Sequence, residues 1–85
     1  MPLPEIIRLI KKPEALKLTA TSHSTFHLRI KDGILPPPVI LGENSVAYPL
    51  HEIDAINRAR LAGKSNDEIR ELVADLVKQR KEATL

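Results

Sequence analysis

The chain has 85 residues, enough for one domain with a small core and too few for two independent cores. It contains no cysteine, which excludes disulfide scaffolds and thiolate zinc sites and makes a reducing cytoplasm the expected setting. Aromatic residues make up 2% of the chain, too few for the stacking platforms by which proteins read single-stranded nucleic acid.

The formal net charge is +2, and its distribution along the chain is uneven. Residues 1–33 carry six Lys and Arg against three Asp and Glu, a net of +3, whereas residues 34–63 come to −1 and residues 64–85 to zero. A polyanion would therefore meet the first third of the chain. Neither a secretory signal nor a bilayer-spanning apolar run is found, so we expect a cytoplasmic, nucleoid-associated protein without a membrane partner.

A lead-in and a first short helix are predicted at the start of the chain. Residues 1–12 form the lead-in, in which Leu9 and Ile10 are expected to dock on the core. Pro13 suits the first turn of a helix, where its missing N–H costs nothing, and the helix continues for about two turns. It ends before the polar break at residues 19–22.

A second helix follows this break. Ser22 is a good N-cap, Phe26 and Ile30 share the apolar face, and Gly33 provides the stop. Two short helices joined by a tight turn within about 20 residues have helix-turn-helix spacing. We therefore predict a helix-turn-helix over residues 13–33.

A small hairpin is predicted next. Three prolines exclude a helix from residues 34–41, which read as an extended segment ending in a short strand. Residues 42–45 are of the types that favour a turn, and residues 46–48 are predicted to form the return strand. A hairpin directly after a second helix is a wing, here assigned to residues 34–48.

Two further helices are predicted, over residues 49–62 and 65–82. The second begins at a capping box formed by Ser65 and Glu68, and its apolar residues recur with helical spacing. This last helix either covers the domain's own core or offers a surface to partners. The elements together predict a mostly α fold: a single winged helix-turn-helix domain over residues 1–85, with a two-stranded β wing and C-terminal helices.

The stretch from Ser22 to Gly33 resembles the signature of the AlpA family, with its Ser-x-Ser-Thr start, amphipathic helix and terminal Asp/Glu-Gly. Leu35-Pro-Pro-Pro-Val39 is similar to that family's Phe-Pro-x-Pro-Val, and the runs 51–57 and 63–70 resemble the corresponding segments of one subfamily. The resemblance covers roughly residues 8 to 81. It implies a MerR-like winged helix-turn-helix in a transcriptional regulator or excisionase of a phage or integrative element. Its second helix would enter the major groove, and its wing would reach the neighbouring backbone or minor groove.

The chain departs from the family pattern at several positions. Ala20-Thr21 replaces the usual Gly-Leu in the turn, where Ala in a left-handed conformation would cost on the order of 1 kcal/mol. Glu43 and Asn44 occupy a wing tip that often carries Arg, and Tyr48 replaces a usual Trp. In mid-helix, Leu28 precedes Arg29 where the family commonly has Arg then Leu. Leu28 would then either meet a thymine methyl on the DNA face or indicate that the helix is rotated.

The resemblance and the helix pattern together predict a surface that binds double-stranded DNA, the alternative being an ordinary solvated helix face. Lysine and arginine side chains would contact phosphates, and the short polar side chains would contact base edges or phosphates. The predicted members are His23, Ser24, Thr25, His27, Leu28, Arg29, Lys31, Asn44, Ser45, Lys11 and Lys12.

A metal site is a second hypothesis for the histidines, and the sequence does not favour it. His23 and His27 stand four residues apart, as metal-binding pairs on helices do, with His51 as a possible third ligand. No carboxylate has ligand spacing to this pair, so we expect no metal and no cofactor. Titration of a histidine near neutral pH is the more relevant property, because a charged imidazole strengthens phosphate contact. No catalytic constellation is found, and we expect no enzyme activity.

The sequence is compatible with three functional hypotheses. The protein could direct an integrase toward excision, or it could activate or repress transcription together with RNA polymerase. A domain this small makes few base contacts, so tandem sites, a homodimer or a cooperative array on DNA are expected. The third reading is a protein-binding adaptor that kept the fold and lost DNA affinity, which Leu28, Glu43 and Asn44 favour.

Overall fold

The structure is a computed structural model that describes residues 3–83; the ends of the predicted domain, residues 1–2 and 84–85, lie outside this range. Within it the elements are, in chain order, β1 (Leu9–Ile10), α1 (Lys12–Thr19), α2 (His23–Lys31), β2 (Val39–Gly42), β3 (Ser45–Pro49), α3 (Leu50–Leu61), α4 (Asn66–Gln79) and a 3-10 helix (Arg80–Ala83). This confirms the mostly α, winged helix-turn-helix class. None of the helices in residues 3–83 is long and apolar enough to cross a bilayer.

Both ends of α2 are fixed by local sequence signals. The Ser22 hydroxyl accepts a hydrogen bond from the backbone N–H of Thr25 at 3.2 Å, as an N-cap does. Gly33 follows the helix with φ of +79°, and its N–H donates to the Ile30 carbonyl while the N–H of the next residue donates to the Arg29 carbonyl. This pair of bonds satisfies carbonyls that the helix leaves open at its C-terminus.

The wing belongs to a three-stranded antiparallel sheet of order β1-β3-β2 among residues 3–83. The strand β1 was not predicted, because two residues are too few for a periodic pattern; Ile10 pairs with Tyr48 across it. Ile10 is buried as expected, whereas Leu9 is 43% exposed, so the prediction that Leu9 docks on the core is wrong. Leu9 and Ile10 are neighbours on one strand and must point to opposite faces of the sheet.

The core lies between α2, β3, α3 and α4. Phe26 and Tyr48 are fully buried and meet edge to face, with ring centroids 5.1 Å apart. The last helix covers this core with Ile69, Val73 and Leu76, all buried. Of the two hypotheses for α4, the structure supports the one in which its apolar stripe packs inside the domain.

The predicted capping box at the start of α4 is present. Ser65 and Glu68 exchange two hydrogen bonds, and hydrogen bonding to Ser65 lowers the pKa of Glu68.

A buried ion pair joins the end of the chain to α3. The Glu52 carboxylate is fully buried and accepts from Arg80 Nε at 2.9 Å and from Arg80 Nη2 at 2.6 Å. The same Nη2 donates to the Pro37 carbonyl at 2.7 Å. This fork–fork geometry satisfies both carboxylate oxygens, which is what makes a buried charge tolerable.

The turn of the helix-turn-helix contains backbone strain. Ala20 has φ of 55° and ψ of 43°, the left-handed conformation that glycine adopts freely. Its N–H donates to the Lys17 carbonyl, and the next N–H donates to the Leu16 carbonyl, so α1 ends with the same bonds as α2. The sequence-based expectation of a left-handed residue here is confirmed.

Replacing Ala20 by Gly removes this strain, and we expect Ala20→Gly to raise the free energy of unfolding by about 1 kcal/mol in urea denaturation. The matched control is Ala62→Gly at the end of α3, where φ is −78° and glycine has no advantage. That control should instead lose a fraction of 1 kcal/mol. Equal changes in the two variants would contradict the assignment of strain to Ala20.

Removing one partner of the ion pair should destabilise the fold strongly. We expect Arg80→Met to cost about 3 kcal/mol, because it leaves a fully buried carboxylate unpaired. Glu52→Leu should cost less, since Arg80 is 24% exposed and can regain water. The double variant should be more stable than Arg80→Met alone, and a double-mutant cycle in urea measures the coupling. Additive losses would show that the pair is not coupled.

Candidate nucleic-acid interface

The outward face of α2 is polar and basic. The prediction that Phe26 and Ile30 share the apolar, inward face of α2 is confirmed. Phe26 is buried, and Ile30 is partly buried and packs against the core. Leu28 is 59% exposed, so the helix is not rotated and this apolar side chain lies on the outer face. The exposed side chains of α2 are His23, Ser24, His27, Leu28 and Lys31, with Thr25 and Arg29 half-buried beside them.

A lysine from α1 joins this face. Lys12 Nζ lies 2.8 Å from His27 Nε2 and 3.5 Å from His23 Nε2. An ammonium group has donors only, so Nε2 of His27 must accept and its ring proton must sit on Nδ1. The two imidazole centroids are 4.5 Å apart. Lys12, His23 and His27 therefore form one cluster, which we call the imidazole–lysine cluster.

The cluster disfavours the protonated form of His27. Desolvation, followed by the charge of Lys12 and the neighbouring His23 ring, lowers the pKa of His27 below its ordinary value of 6.5. A phosphate oxygen placed against the cluster would compete for Lys12 and favour the imidazolium. A bound phosphate would therefore be expected to raise the pKa of His27.

The wing is linked to the same region by the preceding lysine. Lys11 Nζ donates to the Ser45 hydroxyl at 3.1 Å, across 34 residues of sequence. Asn44 is exposed in the turn between β2 and β3. Although the wing tip has Glu43 and Asn44 instead of Arg, Lys11 places a cation beside Ser45, the first residue after the turn of the wing. The adjacent residues Lys11 and Lys12 thus contact the wing and α2 respectively.

Two side chains that the sequence analysis missed hold the helix-turn-helix in place. Asn57 Nδ2 donates to the Leu18 carbonyl at the end of α1, at 2.9 Å. Arg70 Nε donates to the Asp32 carbonyl at the end of α2, also at 2.9 Å. These carbonyls have no partner within their own helices, so α3 and α4 each satisfy one helix end. The sequence gives no sign of these two contacts beyond the polar side chains themselves. The partners are 38 and 39 residues apart, so no local pattern predicts them.

The third histidine lies apart from the pair. His51 is on α3, beside residues 4–8 of the N-terminal segment, and its two ring nitrogens are buried without a hydrogen-bond partner in residues 3–83. In the part of the chain that the structure describes, no group of three His, Cys, Asp or Glu side chains is arranged to hold a metal ion.

Comparison with known proteins places this geometry in a family. The family model described as Prophage CP4-57 regulatory protein (AlpA) matches residues 8–61, from just before β1 to the end of α3. No curated protein matches the chain, and no solved structure matches it. The family match spans more than half of the chain and contains the helix-turn-helix, the wing and the third helix; the protein belongs to the AlpA family of phage regulatory proteins.

Proposed function

We propose that the protein binds double-stranded DNA through α2, the Lys11–Lys12 pair and the wing, and that it regulates transcription or excision of a phage or integrative element. The observation that carries this proposal is the continuous basic and polar surface from Ser45 through Lys11 and Lys12 to His27. Membership of a phage regulatory family supports it independently.

The dimensions of α2 suit the major groove of B-DNA. Nine residues give a helix about 13 Å long, and a helix with side chains is 10–12 Å wide, close to the groove width of about 12 Å. Its N-terminal half presents Ser24 and His27, which have donors or acceptors for base edges. Lys31 at the C-terminal turn is exposed and would reach a phosphate.

Phosphate contacts would provide most of the affinity. Lys11, Lys12, Arg29 and Lys31 would each displace counterions from DNA, and binding would weaken linearly with the logarithm of salt concentration. Arg29 is half-buried at the edge of α2, so it would contact the backbone at the groove margin. His27 would join this set once protonated.

Specificity would need help from repeated sites or partners. One nine-residue helix and a short wing contact few base pairs, so we propose occupation of tandem sites by a homodimer or a cooperative array, with an integrase or RNA polymerase beside it. The adaptor alternative is favoured by one observation, the exposure of Ile40 and Leu41 on β2 beside Glu43. An acidic, apolar wing edge would suit a protein better than a phosphate.

The first test is fluorescence anisotropy on a mixed-sequence duplex across a salt series. We expect affinity to fall steeply with salt and Lys31→Ala to reduce the slope by about one phosphate contact. The control is Lys78→Ala, which removes an identical charge from the exposed side of α4. It should leave the slope unchanged. Absence of duplex binding at low salt would reject DNA binding and favour the adaptor.

The pH dependence of binding provides a second test. The pKa of His27 is lowered in the free protein, and a phosphate would raise it in the complex, so the complex binds more protons. Affinity should therefore increase as pH falls through the pKa of the complex and level off below that of the free protein. We expect His27→Gln to weaken this dependence, with circular dichroism over the same range as the control for unfolding. An unchanged pH profile in His27→Gln would place His27 away from phosphate.

A further inference from the structure

Leu28 is an apolar side chain on an otherwise polar surface. It is the sixth residue of α2 and 59% exposed, and it belongs to neither the buried core nor the side chains packed on its edge. Its neighbours one helical turn away are Ser24, Thr25, Lys31 and Asp32, all of them polar. Within residues 3–83, Leu28 is therefore isolated on the outer face of α2.

This isolation argues against a protein partner for Leu28. Apolar docking surfaces are contiguous patches, and a single leucine ringed by polar groups offers little area for one. The exposed apolar residues of the wing, Ile40 and Leu41, are on a different element. Lys31 and Asp32 follow Leu28 by one turn, and Lys12 of the imidazole–lysine cluster precedes it. The cations around Leu28 therefore outnumber the carboxylates, which favours a polyanion.

The chemistry of the major groove leaves one apolar partner for Leu28. Phosphates and sugars offer no apolar surface to an isobutyl group. The groups that distinguish guanine, adenine and cytosine in the major groove are hydrogen-bond donors and acceptors. Thymine presents its C5-methyl group in the same groove. A leucine at the middle of the groove-facing helix is apolar like that methyl group, and burying the methyl against it would stabilise the complex.

We propose that Leu28 is a specificity-determining residue that selects thymine at one position of the DNA site by burying its C5-methyl group. This rests on the proposed function, since it requires α2 to lie in the major groove. Ser24, one turn earlier on the same face, would hydrogen-bond a neighbouring base edge. Lys31 and Lys12 would fix the register through phosphates without selecting a base.

The experiment removes the methyl group from the DNA and the leucine from the protein. A duplex is selected from a random pool with the full chain, and each thymine is replaced in turn by deoxyuridine, which pairs identically but lacks the methyl. The affinities of the unsubstituted protein and Leu28→Ala are measured on every duplex. Leu61→Ala is the matched control, because Leu61 is also exposed and ends α3 instead of facing outward from α2.

We expect one thymine whose replacement weakens the unsubstituted protein and Leu61→Ala by about fourfold, the value of one buried methyl, and leaves Leu28→Ala unaffected. Equal losses in Leu28→Ala, or no sensitive thymine, would overturn the proposal while salt-dependent binding kept the proposed function intact. If the unsubstituted protein bound no duplex at all, both this proposal and the proposed function would be overturned. Placing 5-methylcytosine at each cytosine tests the other source of this methyl group; a Leu28-dependent gain found only there would overturn the assignment to thymine.

Discussion

The arrangement of the domain depends on one buried charge. Glu52 lies inside the core, and Arg80 satisfies both of its oxygens while also binding the Pro37 carbonyl in the proline run. Prolines have no N–H, so that run cannot pair like an ordinary strand, and Arg80 fastens it to α3 instead. Arg80 lies beyond residues 8–61, which the family model matches. The buried carboxylate of Glu52, which lies inside the matched range, is thus paired with a residue outside it.

The same dependence on distant partners holds for the helix-turn-helix. Asn57 and Arg70 satisfy carbonyls at the ends of α1 and α2, so the angle of the outward-facing helix is fixed by α3 and α4. Lys11 and Lys12 then connect the wing and α2 to the start of α1. These hydrogen bonds connect the two regions of the proposed DNA contact through the same set of helices. In the proposed complex, phosphate contacts from both regions would define where α2 enters the groove.

The sequence predicted what short-range chemistry determines. Ser22, Gly33, the left-handed turn at Ala20 and the outer face of α2 all follow from residues within one or two helical turns. It missed β1 and the Glu52–Arg80 pair, because their partners lie roughly 30 to 40 residues away. For the candidate site it predicted which side chains are exposed on α2. The contacts Lys12–His27 and Lys11–Ser45 could not be inferred, since they depend on how α1 docks on α2 and the wing.

The left-handed Ala20 has a consequence for the life of the protein in a cell. A strain of about 1 kcal/mol multiplies the unfolded fraction about fivefold, and cellular proteases act on that fraction. Alanine and glycine codons differ by a single nucleotide, so relief from the strain is one mutation away. The turn residue therefore lowers the stability of the fold and enlarges the share of chains that is open to proteolysis.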